Sequence, residues 1–162
     1  MVKAGLLPLL QSGNVFESDT WMYLDPIVPG AHPLDALALA LFEQFPAKNL
    51  TMLRQDLGDD SMRELHLYAT ILARRKGCAQ VVLVVDQFEE VFTLTESEQE
   101  RQPFLDLLMT ACTKRDGPLI VVLTLRADFY DRPMQYPALY TLIVDHLIPM
   151  LPMTLADLRA VR

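Results

Sequence analysis

Glycine is scarce in this chain and nowhere clustered. There are six, and no two lie within seven residues of each other. A loop that wraps its backbone around a phosphate needs glycines a few residues apart and a Lys-Ser or Lys-Thr pair behind them. The 162 residues contain no such loop, and Lys3 is followed by Ala4. Cysteine is nearly absent as well. Cys78 directly precedes an apolar run and Cys112 falls on an apolar helical face, so both are expected as buried free thiols in a reducing compartment. No apolar stretch approaches the ~20 residues that span a membrane. The segment Met1–Leu10 has a short apolar core with no small-residue cleavage site behind it, which does not read as a signal peptide. The cytoplasm is the expected location, with no membrane partner. Cations are also in deficit: 14 Lys and Arg stand against 21 Asp and Glu, giving a net charge of -7 and a pI near 4.8. That balance argues against a nonspecific nucleic-acid binder, which needs a basic face. It leaves room for a nucleotide, whose phosphates are held locally by backbone N–H groups and one or two cations. His32, His66 and His146 are scattered with no Cys or acid at ligand spacing, against a structural zinc site.

What is present is apolar: hydrophobic residues make up 51% and mean hydropathy is +0.20, enough for one domain with a substantial core. Residues 2–11 read as a short apolar helix with no capping residue before it. A short strand is expected at 21–24, ended by Asp25-Pro26, with Pro29-Gly30 continuing the loop. Pro33 opens a helix to about Phe45, with Leu34, Leu37, Leu41 and Phe45 on one face. Residues 46–60 look polar and less regular, with no helix assigned to them. Asp60 or Ser61 is expected to cap a helix that turns Met62, Leu65, Ala69 and Leu72 inward, carries Arg74-Arg75-Lys76 at its end and stops at Gly77. Val81–Val85 and Leu119–Leu123 are continuous apolar runs of strand length. Between them Glu96 to Glu100 open a helix reaching about Lys114, with Phe104, Leu105, Leu108 and Cys112 inward. A helix over about 134–143, a third inner strand at His146-Leu147-Ile148 and a last helix capped by Thr154 complete the reading. Strands alternating with helices of this length predict an α/β fold, a parallel sheet with helices on both faces in three layers. No repeat, low-complexity tract or linker is evident.

The two inner strands each release polar chemistry at their carboxyl ends. Val85 is followed by Asp86, with Glu89 and Glu90 close behind; Leu123 is followed by Thr124, Leu125 and Arg126. In an open parallel sheet such groups share one edge, where ligands bind. Three acids leaving a buried strand repel one another unless a cation or donors offset them. The division of labour this suggests puts Mg²⁺ on Asp86 through a water, because Mg²⁺ keeps much of its hydration shell. Glu89 or Glu90 would orient or deprotonate an attacking water. Thr124 and Arg126, two apart, would face a phosphate, the guanidinium reading it in bidentate fashion. The plainer alternative is an acid that caps a helix and a Glu pair that is its solvated start.

The stretches Asp86-Gln87-Phe88-Glu89-Glu90-Val91-Phe92, Glu100-Arg101-Gln102-Pro103-Phe104 and Val122-Leu123-Thr124-Leu125-Arg126-Ala127-Asp128-Phe129-Tyr130-Asp131-Arg132-Pro133 resemble the novel STAND NTPase domain of large bacterial signalling proteins, often found ahead of WD repeats. Val2–Pro8 is similar to the helix that follows that family's phosphate-binding loop, and Leu151–Arg159 to the entry to its helical lid, so the resemblance covers nearly all of residues 1–162. It implies a P-loop NTPase-like core of an ATP-operated switch that uses ATP and Mg²⁺. Asp86 matches the Mg²⁺-associated acid, Glu89 and Glu90 the acids that follow it, and Arg126 the sensor arginine. The family's Gly-rich loop would fall before Met1, so the expectation is a single partial domain, without that loop and the lid, that binds ATP weakly or not at all by itself. Two other functions fit the residues. One is a non-enzymatic pseudo-NTPase that docks protein partners or associates with itself; the other is an unrelated metal-dependent hydrolase using Asp86, Glu89 and Glu90 directly.

Overall fold

The structure, a computed structural model, describes residues 7–13 and 18–150. The expected first residues of the opening helix and the helix after Thr154 lie outside them. Contacts divide the chain into two compact units, Met1–Arg132 and Pro133–Arg162.

In the first unit, helix α1 (Leu7–Gln11) and a 3-10 turn at Ser18–Thr20 precede strand β1 (Met22–Tyr23). Three helices follow: α2 (Pro33–Phe42), α3 (Leu50–Leu57) and α4 (Glu64–Lys76). Strand β2 (Val81–Val85) leads through the single turn α5 (Glu90–Thr93) and the long helix α6 (Glu98–Thr113) to strand β3 (Leu119–Leu123) and a 3-10 turn at Ala127–Phe129. The three strands form one parallel sheet in the order β1-β2-β3. Val81–Val85 pair in register with Leu119–Leu123, and Met22 and Tyr23 pair with Val81 and Val82.

β2 is buried along its whole length, as its uninterrupted apolar run, β-branched at all but Leu83, requires. The pleat sends alternate residues to opposite faces. On one face Val82 and Val84 cluster with Leu7 of α1, flanked by Trp21, Tyr23, Ile120 and Val122. Val81, Leu83 and Val85 point the other way and are also buried. α4 packs on β2 and β3, α6 packs on β3 and α4, and α2 bridges α3 and α6. β1 and β3 are the edge strands among the described residues, and beyond Leu119 β3 is only half-buried.

Both inner strands lie where the sequence places them, and Gly77 ends α4 with φ 66, the left-handed conformation that an L side chain resists. Four expectations need correction. Residues 46–60 are not irregular: Asn49 caps α3 by accepting from the Met52 N–H, and Leu53 and Leu57 are buried. α4 begins at Glu64 rather than beside Asp60 or Ser61. Met62, with φ 52, sits in the left-handed turn before it, and the inward face is Leu65, Tyr68, Ala69, Leu72 and Ala73. Cys112 is exposed on α6, where Ala111 takes the inward position, while Cys78 is partly buried.

The fourth correction falls in the second unit. A 3-10 turn at Pro133–Gln135 leads into α7 (Pro137–Asp145), close to the helix expected at 134–143. His146-Leu147-Ile148 is no strand. The His146 N–H closes α7 by bonding the Ile143 carbonyl, Pro149 carries no donor, and Ile148 is 80% exposed.

Candidate functional site

β2 and β3 end level with each other, Val85 opposite Leu123, so the segments that follow leave from one sheet edge. The edge is extended on the β1 side by an isolated parallel bridge between Ile27 and Val85, and the Asp86 N–H donates to the Ile27 carbonyl at 2.8 Å. Asp86 is thereby fixed between two neighbouring segments before its side chain is considered.

Thr124 is the hub. Its N–H bonds the Val85 carbonyl at 3.0 Å and its carbonyl accepts from the Phe88 N–H at 2.8 Å. Its hydroxyl donates to Asp86 Oδ1 at 2.5 Å and accepts from the Gln87 N–H at 3.0 Å. The Gln87 N–H also lies 3.2 Å from Asp86 Oδ1. Gln87 reaches this position with φ 54, a left-handed conformation that turns the chain out of β2. The turn drops Phe88 into the core, where its ring meets Phe92 edge-on at 5.5 Å.

The two glutamates diverge. Glu89 is 7% exposed, and its Oε2 accepts a long bond, 3.4 Å, from the Arg126 N–H. Glu90 turns to the loop between β1 and α2, where its Oε2 accepts from the Gly30 N–H at 3.2 Å. The buried Thr95 hydroxyl donates to the carbonyl of the same glycine at 3.0 Å. Arg101 holds this corner from α6, its Nε donating to the Val91 carbonyl at 2.9 Å and its terminal nitrogen to the Thr95 carbonyl.

Asp86, Glu89, Thr124 and the main chain of Arg126 are therefore brought together. The Arg126 guanidinium is not among them. It grips Asp128 with two bonds of 3.1 and 2.7 Å, lies over the Phe129 ring at 5.4 Å and is largely exposed.

A family model described as Novel STAND NTPase 1 matches residues 1–161. The chain belongs to this family. No curated protein and no solved structure matches it.

In this STAND NTPase chain the sequence points to Asp86, Glu89, Glu90, Thr124 and Arg126 but not to their supports: it assigns no role to Gln87, Thr95 or Arg101 and places Gly30 only in a loop. A non-glycine residue in a left-handed turn leaves no mark in composition. Thr95 and Gly30 are 65 positions apart, beyond the reach of any local pattern. Among the described residues no group of three or more His, Cys, Asp or Glu is placed to hold a metal ion.

Proposed function

We propose that this chain is the α/β core of an ATP-operated signal-transduction switch with P-loop NTPase-like organisation, in which Asp86 is the Walker B acid. The observation that supports it most is the Thr124–Asp86 bond. Both partners come from the carboxyl ends of adjacent parallel strands, where ligands of open α/β sheets sit. Thr124 and Gln87 both engage Oδ1, so that Oδ2 would be the oxygen to accept from a water on a bound Mg²⁺. That suits Mg²⁺, which keeps most of its hydration shell. When bound, Mg²⁺ would neutralise charge on the ATP phosphates. Glu89 is a buried carboxylate with one long donor, the state a nearby cation relieves, and it stands on the Thr124–Arg126 side of the edge. It is the better placed of the two acids to orient water, and Glu90 to hold the β1–α2 loop. Arg126 reaches a phosphate by leaving Asp128, an exposed pair of the kind worth under about 1 kcal/mol. The location is proposed as the bacterial cytoplasm, and the partners as ATP and either other proteins or a second copy of the chain.

The second reading is a pseudo-NTPase docking module. It is favoured by the engagement of the Arg126 guanidinium with Asp128 and of Glu90 with Gly30, which leaves both groups already partnered. A metal-dependent hydrolase using all three acids as ligands is disfavoured, because Glu89 and Glu90 reach opposite ways from Asp86.

Two-dimensional NMR of the chain titrated with millimolar Mg²⁺–ATP separates the readings. The switch reading expects shifts at the Gln87, Thr124 and Arg126 amides that vanish in Asp86→Asn. No shifts there, or the same shifts in the variant, would leave the docking module.

A further inference from the structure

Between the outer side of α2 and the segment that leaves β1 runs an aliphatic groove of about 290 Å³, with Ile27 and Val28 on one wall and Ala36, Leu39 and Ala40 on the other. Its shape follows from the sequence. Ala36 and Ala40 stand one turn apart on α2, and two methyl groups in succession leave a hollow beside the helix. Leu39 rises next to that hollow at 57% exposure, and Val28 on the opposite wall is 42% exposed. α2 already buries Leu34, Leu37, Ala38 and Leu41, so Leu39 is surplus to the core.

The β1-side wall is rigid. The Ile27 N–H donates to the Val84 carbonyl at 2.9 Å, and the Ile27 carbonyl accepts from the Asp86 N–H at 2.8 Å, so this wall is an extension of the sheet. Gly30, two residues beyond Val28, is clamped by Glu90 and Thr95. A wall already fixed spares a ligand the cost of ordering it.

The charge beside the groove has one sign. Its walls include Asp25 and Glu43 and no Lys or Arg. Both acids are exposed, and neither joins an ion pair among the described residues. The titratable groups at the start of α2 are spent elsewhere, His32 on Glu100 and Asp35 on Arg54.

We propose that this groove docks an amphipathic helix of another protein, two aliphatic side chains one turn apart entering it while Lys or Arg on their flanks meets Asp25 and Glu43. The length agrees: Ala36 to Glu43 covers about 10 Å of α2 at 1.5 Å per residue, enough for two partner side chains about 5 Å apart along their own helix. The sign agrees as well, since two unpaired carboxylates attract a basic helix and repel an acidic one. Apolar burial supplies the affinity and the flanking charges select the partner.

Fluorescence anisotropy of the full chain with labelled peptides tests this. The assay contains no nucleotide, so its outcome is separate from that of the switch reading. The probe is an amidated peptide of about 15 residues, built of Ala with two Leu one turn apart and Lys on their flanks; its twin carries Glu in place of every Lys. The lysine peptide is expected to bind at least about tenfold more tightly than its twin. Leu39→Ser, which removes apolar surface and no charge, should weaken the lysine peptide by about tenfold or more. Asp25→Lys combined with Glu43→Lys should hand the preference to the glutamate twin. All three side chains are exposed, so these variants are expected to keep the fold. Val28→Ser repeats the apolar test from the opposite wall. Equal binding of the two peptides overturns the proposal, and so does a lysine-peptide affinity that neither serine variant changes. Binding of neither peptide overturns it too, the result expected if another segment of the same chain fills the groove.

Discussion

Thr124 has one hydroxyl proton, and it goes to a carboxylate. A hydrogen bond to a charged group contributes more than a neutral one, roughly 1.5–3 kcal/mol when it is well shielded. Thr124→Val keeps the shape, removes that donor and strips the Gln87 N–H of its acceptor. Urea unfolding is expected to show a loss of about 1–3 kcal/mol. The loss should shrink in an Asp86→Asn background, because the charge that made the bond strong is gone. An equal loss in both backgrounds would mean that the hydroxyl stabilises something other than Asp86. Gln87 offers a second check on the same turn. Its backbone N–H makes the contacts, its side chain is exposed, and its φ of 54 carries the steric cost of an L residue in that region. Gln87→Gly should therefore be neutral or stabilising by up to about 1 kcal/mol, whereas the β-branched Gln87→Val should destabilise. A destabilising glycine would show that the glutamine side chain, not the backbone, sets the turn. At this scale the meeting of Asp86 with Thr124 followed from sequence, since two parallel apolar strands of equal length end together. The destination of Glu90 did not, because its partner Gly30 lies 60 residues away in a loop.

Between elements, two contacts tie the β1–α2 connection to the segments that follow β2. The first is the hold on Gly30, whose N–H and carbonyl are taken by Glu90 and Thr95. Thr95 is 1% exposed, so Thr95→Val leaves the Gly30 carbonyl facing a methyl group; the expected cost is about 1–3 kcal/mol, with faster amide exchange in the loop. Unchanged exchange would show that Glu90 alone fixes the loop. The second contact joins the start of α2 to the first turn of α6 through His32 Nδ1 and Glu100, 2.9 Å apart. The hydrogen bond to Glu100, with its negative charge, raises the His32 pKa above its ordinary value. Stability from a raised group is fully present below the unfolded pKa and is lost as pH climbs through the folded one. An NMR titration should find His32 titrating above about 6.5, and Glu100→Gln should bring it back down. A value unmoved by that substitution would mean that Glu100 does not hold the ring. Both contacts are long-range, and so are most of the features that local pattern missed. β2, β3, α6 and the Gly77 stop were legible because each is written in a continuous run or a single cap. α3 was not, since only Leu53 and Leu57 are buried in its eight residues and the rest reads as polar chain. The expected strand at 146–148 fails because the His146 N–H is spent on closing α7 and Pro149 carries no donor.

For the molecule as a whole, the decisive quantity is how tightly it holds nucleotide without a glycine-rich loop. Most phosphate attraction in P-loop NTPases comes from loop amides, a lysine and a helix N-terminus aimed at the anion. Within residues 1–162 the glycines are dispersed, and the groups at the sheet edge are the Asp86 carboxylate bonded to Thr124, a buried glutamate and an exposed arginine already paired with Asp128. The net charge of -7 works in the same direction, since an acidic surface repels free ATP and the repulsion grows as salt is lowered. Titration calorimetry of the chain with Mg²⁺–ATP is therefore expected to give no micromolar binding. The residual millimolar interaction should strengthen with Mg²⁺ concentration and disappear in Asp86→Ala. A micromolar affinity that survives Asp86→Ala would mean that some other surface holds the phosphates, and Asp86 would then lose its place in the chemistry.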